Sequence, residues 1–121
     1  MTGCFDTNIV IDLLSNYPPA LAEARNYTEV AISRITWVEV LVGAPDAATE
    51  QEWESFLAQF RLVEMDDAVC RDAIGLRKQQ RLKLPDALIF AGARHHGYPF
   101  VTRNTRDFPP GTPGVRVPYT R

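Results

Sequence analysis

The sequence predicts an α/β protein: a three-layer α/β/α sandwich around a mostly parallel sheet. Three observations predict it. Short apolar runs of strand type alternate with helical patterns from one end of the chain to the other. Proline, glycine and capping residues separate those segments at short intervals. The 121 residues suit one domain, taken as residues 1–121, and a chain of this size buries roughly two-thirds of the surface it exposes when unfolded.

In chain order, Gly3-Cys4-Phe5 reads as a buried strand. Ile9, Val10, Leu13 and Leu14 then repeat at helical spacing. Pro18-Pro19 opens a second helix, proline being tolerated in a first turn. Val30-Ala31-Ile32 is a strand, and Thr36 to Val42 a short helix that Gly43 is expected to end. Thr49 to Glu52 has the pattern of a capping box, and Trp53, Phe56, Leu57 and Phe60 follow on one helical face. Leu62-Val63 is strand-like. Asp66 or Asp67 caps a helix running to about Gln80, and Pro85 opens another that ends near Gly97. Phe100-Val101-Thr102 is a strand, Pro109-Pro110-Gly111 and Pro113-Gly114 mark a loop, and Val115-Arg116-Val117 is the last strand.

Composition excludes several classes. With 45% apolar and 23% charged residues the chain is globular, not disordered or fibrous. Two cysteines, Cys4 and Cys70, supply neither a disulfide framework nor a four-cysteine zinc site. The start is not that of a signal peptide, and no apolar run approaches the ~20 residues of a membrane span. The expected setting is therefore cytoplasmic, without membrane association. The net charge of −2 hides an asymmetry: residues 1–60 hold nine acids and two bases, residues 61–121 six acids and eleven bases. Arg77, Lys78, Arg81, Lys83, Arg94, Arg103 and Arg106 form a basic sector interrupted by Asp86 alone. Such a sector fits a phosphate-binding footprint or a solvated helix face.

Three acids lie in apolar company: Asp6 after the first strand, Glu39 within Thr36–Val42, and Asp86 at the head of an apolar helix. Sites in parallel sheets form beyond the carboxyl ends of strands, which is where Asp6, Asn104 and Asp107 fall. A carboxylate withdrawn from water must be paired, hydrogen-bonded or metal-bound. Several together repel one another unless a cation lies among them, and oxygen ligands of this kind suit Mg²⁺ or Mn²⁺. Taken singly, Asp6 also reads as a helix cap, Asp86 as a first-turn acid and Glu39 as a solvent-facing side chain. His95-His96 reads as cationic residues meeting a helix C-terminus rather than as metal ligands.

Four segments carry a family resemblance. Phe5 to Asp12, Ile35 to Gly43, Leu84 to Ile89 and Val101 to Phe108 resemble, in order, the four motifs of PIN domains. At this length the chain is most similar to the VapC-type toxins of bacterial type II toxin–antitoxin pairs. The resemblance implies a metal-dependent endoribonuclease using Mg²⁺ or Mn²⁺, with Asp6, Glu39 and Asp86 as metal ligands. At Asn104, where many members have an acid, this chain has an amide. Either Asp107 supplies the fourth carboxylate, or three acids act with Asn104 as a polar partner. Thr7, Asn8 and Thr102 are expected to support the ligands, and Arg77, Lys78, Arg81, Lys83, Arg103 and Arg106 to hold the RNA backbone. The resemblance further implies homodimers and a small cognate antitoxin. Two alternatives stay open, a PIN-like binding module with weak catalysis and a receiver-type signalling domain.

Overall fold

The computed structural model describes residues 1–121. The elements run β1 (Thr2–Phe5), α1 (Thr7–Leu14), α2 (Pro18–Ala24), β2 (Glu29–Ser33), α3 (Arg34–Val42), α4 (Ala47–Leu57), β3 (Arg61–Val63), α5 (Asp67–Gln80), α6 (Leu84–His95), β4 (Phe100–Val101) and β5 (Val115–Arg116). The five strands make one sheet in the order β3-β2-β1-β4-β5, every neighbouring pair parallel. A receiver-type doubly wound sheet runs 2-1-3-4-5, so that alternative is set aside.

The period of two in a strand divides the core into layers. Cys4 and Phe100 point into a cluster built with α5 and α6, which includes Val69, Leu76, Ile89 and Phe90. Phe5 and Val101, the next residues along, point into the opposite cluster with Ile9 and Val10 of α1, Ala20 of α2, Val40 of α3 and Leu57 of α4. Trp37, Trp53, Phe56 and Phe60 are half-buried against this second cluster. The sheet is thus covered on both faces, as the apolar strands require. No helix is long and apolar enough to cross a membrane.

Two helix ends differ from the sequence expectation. Helix α4 begins at Ala47 rather than at Thr49, because Asp46 takes the cap and accepts the Thr49 amide at 2.7 Å. Helix α3 begins at Arg34, two residues early, because the Ser33 hydroxyl accepts the Ile35 amide at 3.1 Å. Gly43 does follow α3, but with φ −76° it uses none of glycine's left-handed freedom.

From β1 the chain moves outward to β2 and β3, then returns to place β4 on the other side of β1. The strand order reverses between β1 and β4, and a crevice opens beyond the carboxyl ends of strands at such a point. The register pairs Phe5 with Val101, so Asp6 and Thr102 leave the sheet side by side.

Candidate active site

Asp6 is the base of the site. It caps α1 with an extended backbone, accepting the Thr7 amide at 2.8 Å on Oδ1. Its Oδ2 accepts the Thr102 hydroxyl at 2.7 Å and the Asn8 amide at 3.2 Å. Only 4% of Asp6 is exposed. Burial pushes its carboxyl above the ordinary range; the Thr102, Thr7 and Asn8 bonds oppose that rise, and Glu39 adds to it. Asn8 also bonds Thr102 and accepts the Arg103 amide, tying α1 to the chain leaving β4.

Helix α3 supplies the second acid. Thr36 and Glu39 lie three residues apart and so share a face. The Thr7 hydroxyl donates to Glu39 Oε1 at 2.6 Å and stands 3.0 Å from Thr36 Oγ1. Of the two settings the sequence leaves open for Glu39, the structure takes the solvent-facing one: the residue is exposed at the pocket rim, because α3 is only partly covered by its neighbours.

Asp86 enters from the first turn of α6, which Pro85 starts without needing an amide donor. It is half-buried. Burial first, then the charges of Asp6, Asp107 and Glu39, push its carboxyl up to about 6; Asp107 lines the same cavity. Asp107 is held in turn by Asn104, whose amide donates to Asp107 Oδ2 at 2.9 Å and whose Oδ1 accepts the Asp107 backbone N–H at 3.3 Å. The Asn104 amide nitrogen of the backbone donates to Thr102 Oγ1. Asn104 and Asp107 therefore occupy the site together, one supporting the other.

A cavity of about 350 Å³ is lined by Glu39, Lys83, Pro85, Asp86, Asn104, Arg106 and Asp107, none of them strongly apolar, and buried Asp6 is not among them. The acids ring the space without meeting at one point: no three Asp, Glu, His or Cys side chains form a closed ligand cluster. The donor set is all oxygen, carboxylate with one amide, and its mutual repulsion is what a cation would offset. That chemistry fits a hard divalent ion and excludes a thiolate or imidazole site. His95 and His96 lie exposed at the end of α6, away from the cavity, and Cys4 is fully buried with its thiol pushed up to about 12 by burial and by Asp6.

Of the six bases expected to hold RNA, Lys83 and Arg106 line the cavity. Neither is in an ion pair with an acid of the chain. Arg77 donates to the Leu82 carbonyl, and Arg103 turns to Asp12. Lys78 and Arg81 are exposed and do not line the cavity. Asp12 itself is a residue the sequence reading passed over. Its signal was present: an acid one turn after Asn8 in an otherwise apolar helix.

Comparison with known proteins bears on this site. A family model described as the PIN domain matches residues 3–109. The chain is 30% identical over 114 residues to the tRNA(fMet)-specific endonuclease VapC of Shigella flexneri, spanning 85% of this chain and 86% of that protein. A toxin-antitoxin complex from Klebsiella pneumoniae contains a chain with TM-score 0.90 and 41% identity, with coverage of 98% and 99%. VapBC2 from Rickettsia felis, solved bound to a DNA fragment from the promoter, has TM-score 0.78 at 19% identity over 95% of this chain and 96% of that one. That last likeness is one of fold.

Proposed function

This chain belongs to the PIN-domain family, in its VapC type, and from that premise we propose that it is a metal-dependent endoribonuclease. The observation that carries the reading is the meeting of Glu39, Asp86 and Asp107, from three distant segments, around one polar cavity, with buried Asp6 close enough for its charge to act on Asp86. Asp6, Glu39, Asp86 and Asp107 would hold Mg²⁺ or Mn²⁺. Such an ion supplies an activated water and offsets charge on a scissile phosphate.

The chain's own residues do the rest. Thr102, Thr7 and Asn8 orient the Asp6 carboxylate, Thr7 fixes Glu39, and Asn104 fixes Asp107. Lys83 and Arg106 stand at the rim as cations for the RNA backbone, beside acids that alone would repel it. No side chain in the cavity is a Ser, Cys or Lys–His nucleophile pair; attack on the phosphate by an activated water, not by the ribose 2′-hydroxyl, with the 3′-oxygen as leaving group, would leave 5′-phosphate and 3′-hydroxyl ends.

The wider reading follows from the relatives. The protein acts in the cytoplasm as one domain, as the toxin of a type II pair, forms homodimers and is held by a small VapB-like antitoxin. The test is cleavage of purified tRNA and total RNA by protein made with its antitoxin and freed from it. Activity should require Mg²⁺ or Mn²⁺, stop with EDTA, and fall by about 100-fold or more in Asp86→Asn, beyond the cost of losing an outer partner of a metal ligand. Full activity in folded Asp86→Asn protein, or 2′,3′-cyclic phosphate ends, would overturn the mechanism.

A further inference from the structure

Asp12 lies on α1 one turn after Asn8, so the two side chains share a face. Both reach the segment that leaves β4. Asn8 Oδ1 accepts the backbone N–H of Arg103 at 3.3 Å, while Asp12 takes the guanidinium of the same residue, Nε on Oδ2 at 2.9 Å and Nη2 on Oδ1 at 3.4 Å. Arg103 sits between Thr102, which bonds Asp6, and Asn104, which bonds Asp107.

The Asp12 side chain is only 2% exposed, and one guanidinium would satisfy its charge. It receives more. The segment following β5 folds back so that the Tyr119 hydroxyl donates to Oδ2 at 2.7 Å and Arg121 Nη1 to Oδ1 at 2.8 Å. Arg121 stacks 4.0 Å over the Tyr17 ring, and Tyr17 meets Tyr119 edge to face at 5.4 Å. Tyr119 and Arg121 lie beyond the residues the PIN-domain comparison covers.

We infer that Asp12 is a positioning residue of the acidic site: with Asn8 it clamps the Thr102–Asp107 segment through Arg103, and Tyr119 and Arg121 lock the clamp from outside. The clamp holds Arg103 inward as a structural tie, which leaves Lys83 and Arg106 as the cations for RNA. It rests on the ribonuclease reading for what the site does, and on the contacts above for what holds it.

The test uses the full chain. Tyr119→Phe combined with Arg121→Gln removes the outer lock at half-buried and exposed positions. Asp12→Asn removes the charge at the centre. Glu23→Gln is the control: Glu23 is a comparably buried acid whose partner Arg116 reaches the segment only through its backbone carbonyl, which accepts the Thr102 amide and which the substitution leaves in place. Four quantities are measured: amide hydrogen exchange over residues 102–107, Mn²⁺ affinity by calorimetry, and kcat and KM on RNA. The clamp variants should exchange faster over 102–107, bind Mn²⁺ about 10-fold more weakly, as outer partners of a site do, and lose kcat with KM unchanged. Glu23→Gln should lower the melting temperature alone. Unchanged exchange in the folded clamp variants overturns the inference, as does an equal effect of Glu23→Gln. A fall in KM with unchanged exchange would overturn it too, by making Arg103 an RNA ligand that Asp12 restrains. Exchange needs neither turnover nor a bound ion, so it judges the clamp even if the wild-type protein cleaves no RNA.

Discussion

Asp6 and Asp12 stand six residues apart, are both buried, and meet opposite electrostatic fates. Asp6 receives hydroxyl and amide dipoles only and has Glu39 for a neighbour, so burial prevails and its carboxyl is pushed up. Burial acts on Asp12 as well, but bonds from Tyr119, Arg103 and Arg121 outweigh it and hold that carboxyl below its ordinary range. The first has no cationic partner among the ion pairs of the chain, the second has two. For the pair left open at the fourth motif we propose Asp107 as the acid: it lines the cavity with Asp86 and its charge acts on that carboxyl, while Asn104 turns its amide to Asp107. Asp107→Asn should therefore weaken Mn²⁺ binding by at least about 10-fold, since outer partners alone cost that much. Asn104→Asp should also weaken it, by setting a second negative charge against Asp107 where a donor had been. Calorimetry on the two variants checks this, and unchanged affinity in Asp107→Asn would remove that residue from the site.

At the scale of elements, the β1–α1 junction, which places Asp6, Thr7 and Asn8, was the most legible part of the site. An apolar strand followed by an acid and an apolar helical period needs only local rules. The expected alternation of strands and helices holds from β1 to β4, and a loop alone joins β4 to β5. Helix α4 was misplaced because Asp46 and Thr49 both fit a cap, and the choice rests on a backbone angle that residue type does not reveal. The exposure of Glu39 was left open because apolar neighbours along the chain do not say which face of a helix is covered. Gly3 shows what lies beyond local rules. A Cβ there would fall 2.6–2.9 Å from the Tyr27 ring. That ring cannot easily retreat, since it meets Phe5 edge to face and its hydroxyl donates to Glu23 at 2.8 Å. Gly3→Ala should cost about 1–3 kcal/mol by overpacking and lower the melting temperature by roughly 5–10 °C. An unchanged thermal melt would show that β1 and the α2–β2 connection separate more readily than this packing implies.

At the scale of the molecule, the charge asymmetry of the sequence becomes contacts between its two halves. Arg103 and Arg121 reach back to Asp12, Arg116 to Glu23 and Arg61 to Glu29. Much of the basic excess thus neutralises acids of the first half, and only Lys83 and Arg106 reach the cavity. Sequence could show the excess but not this division, because the partners of Asp12 and Glu23 lie some ninety or more positions away. The buried pairs give stability a definite dependence on pH. Burial alone would raise the Glu23 carboxyl, but bonds from Arg116, Tyr27 and Asn26 hold it below its ordinary range, as their counterparts do for Asp12. A carboxyl lowered in the folded state stabilises fully above its unfolded pKa, about 4. That stabilisation is lost as pH falls from there through the lower folded value, because the unfolded chain takes up the proton first. The wild-type protein should therefore melt at progressively lower temperature below about pH 4. A double variant, Asp12→Asn with Glu23→Gln, lacks both groups at every pH. Its melting temperature should lie furthest below the wild type between pH 6 and 7 and approach it as pH falls to about 3, the range in which these carboxyls protonate. Thermal melts of both proteins in EDTA across that range measure the difference, and a gap that stays constant with pH would show that the two acids contribute through shape and packing, not charge.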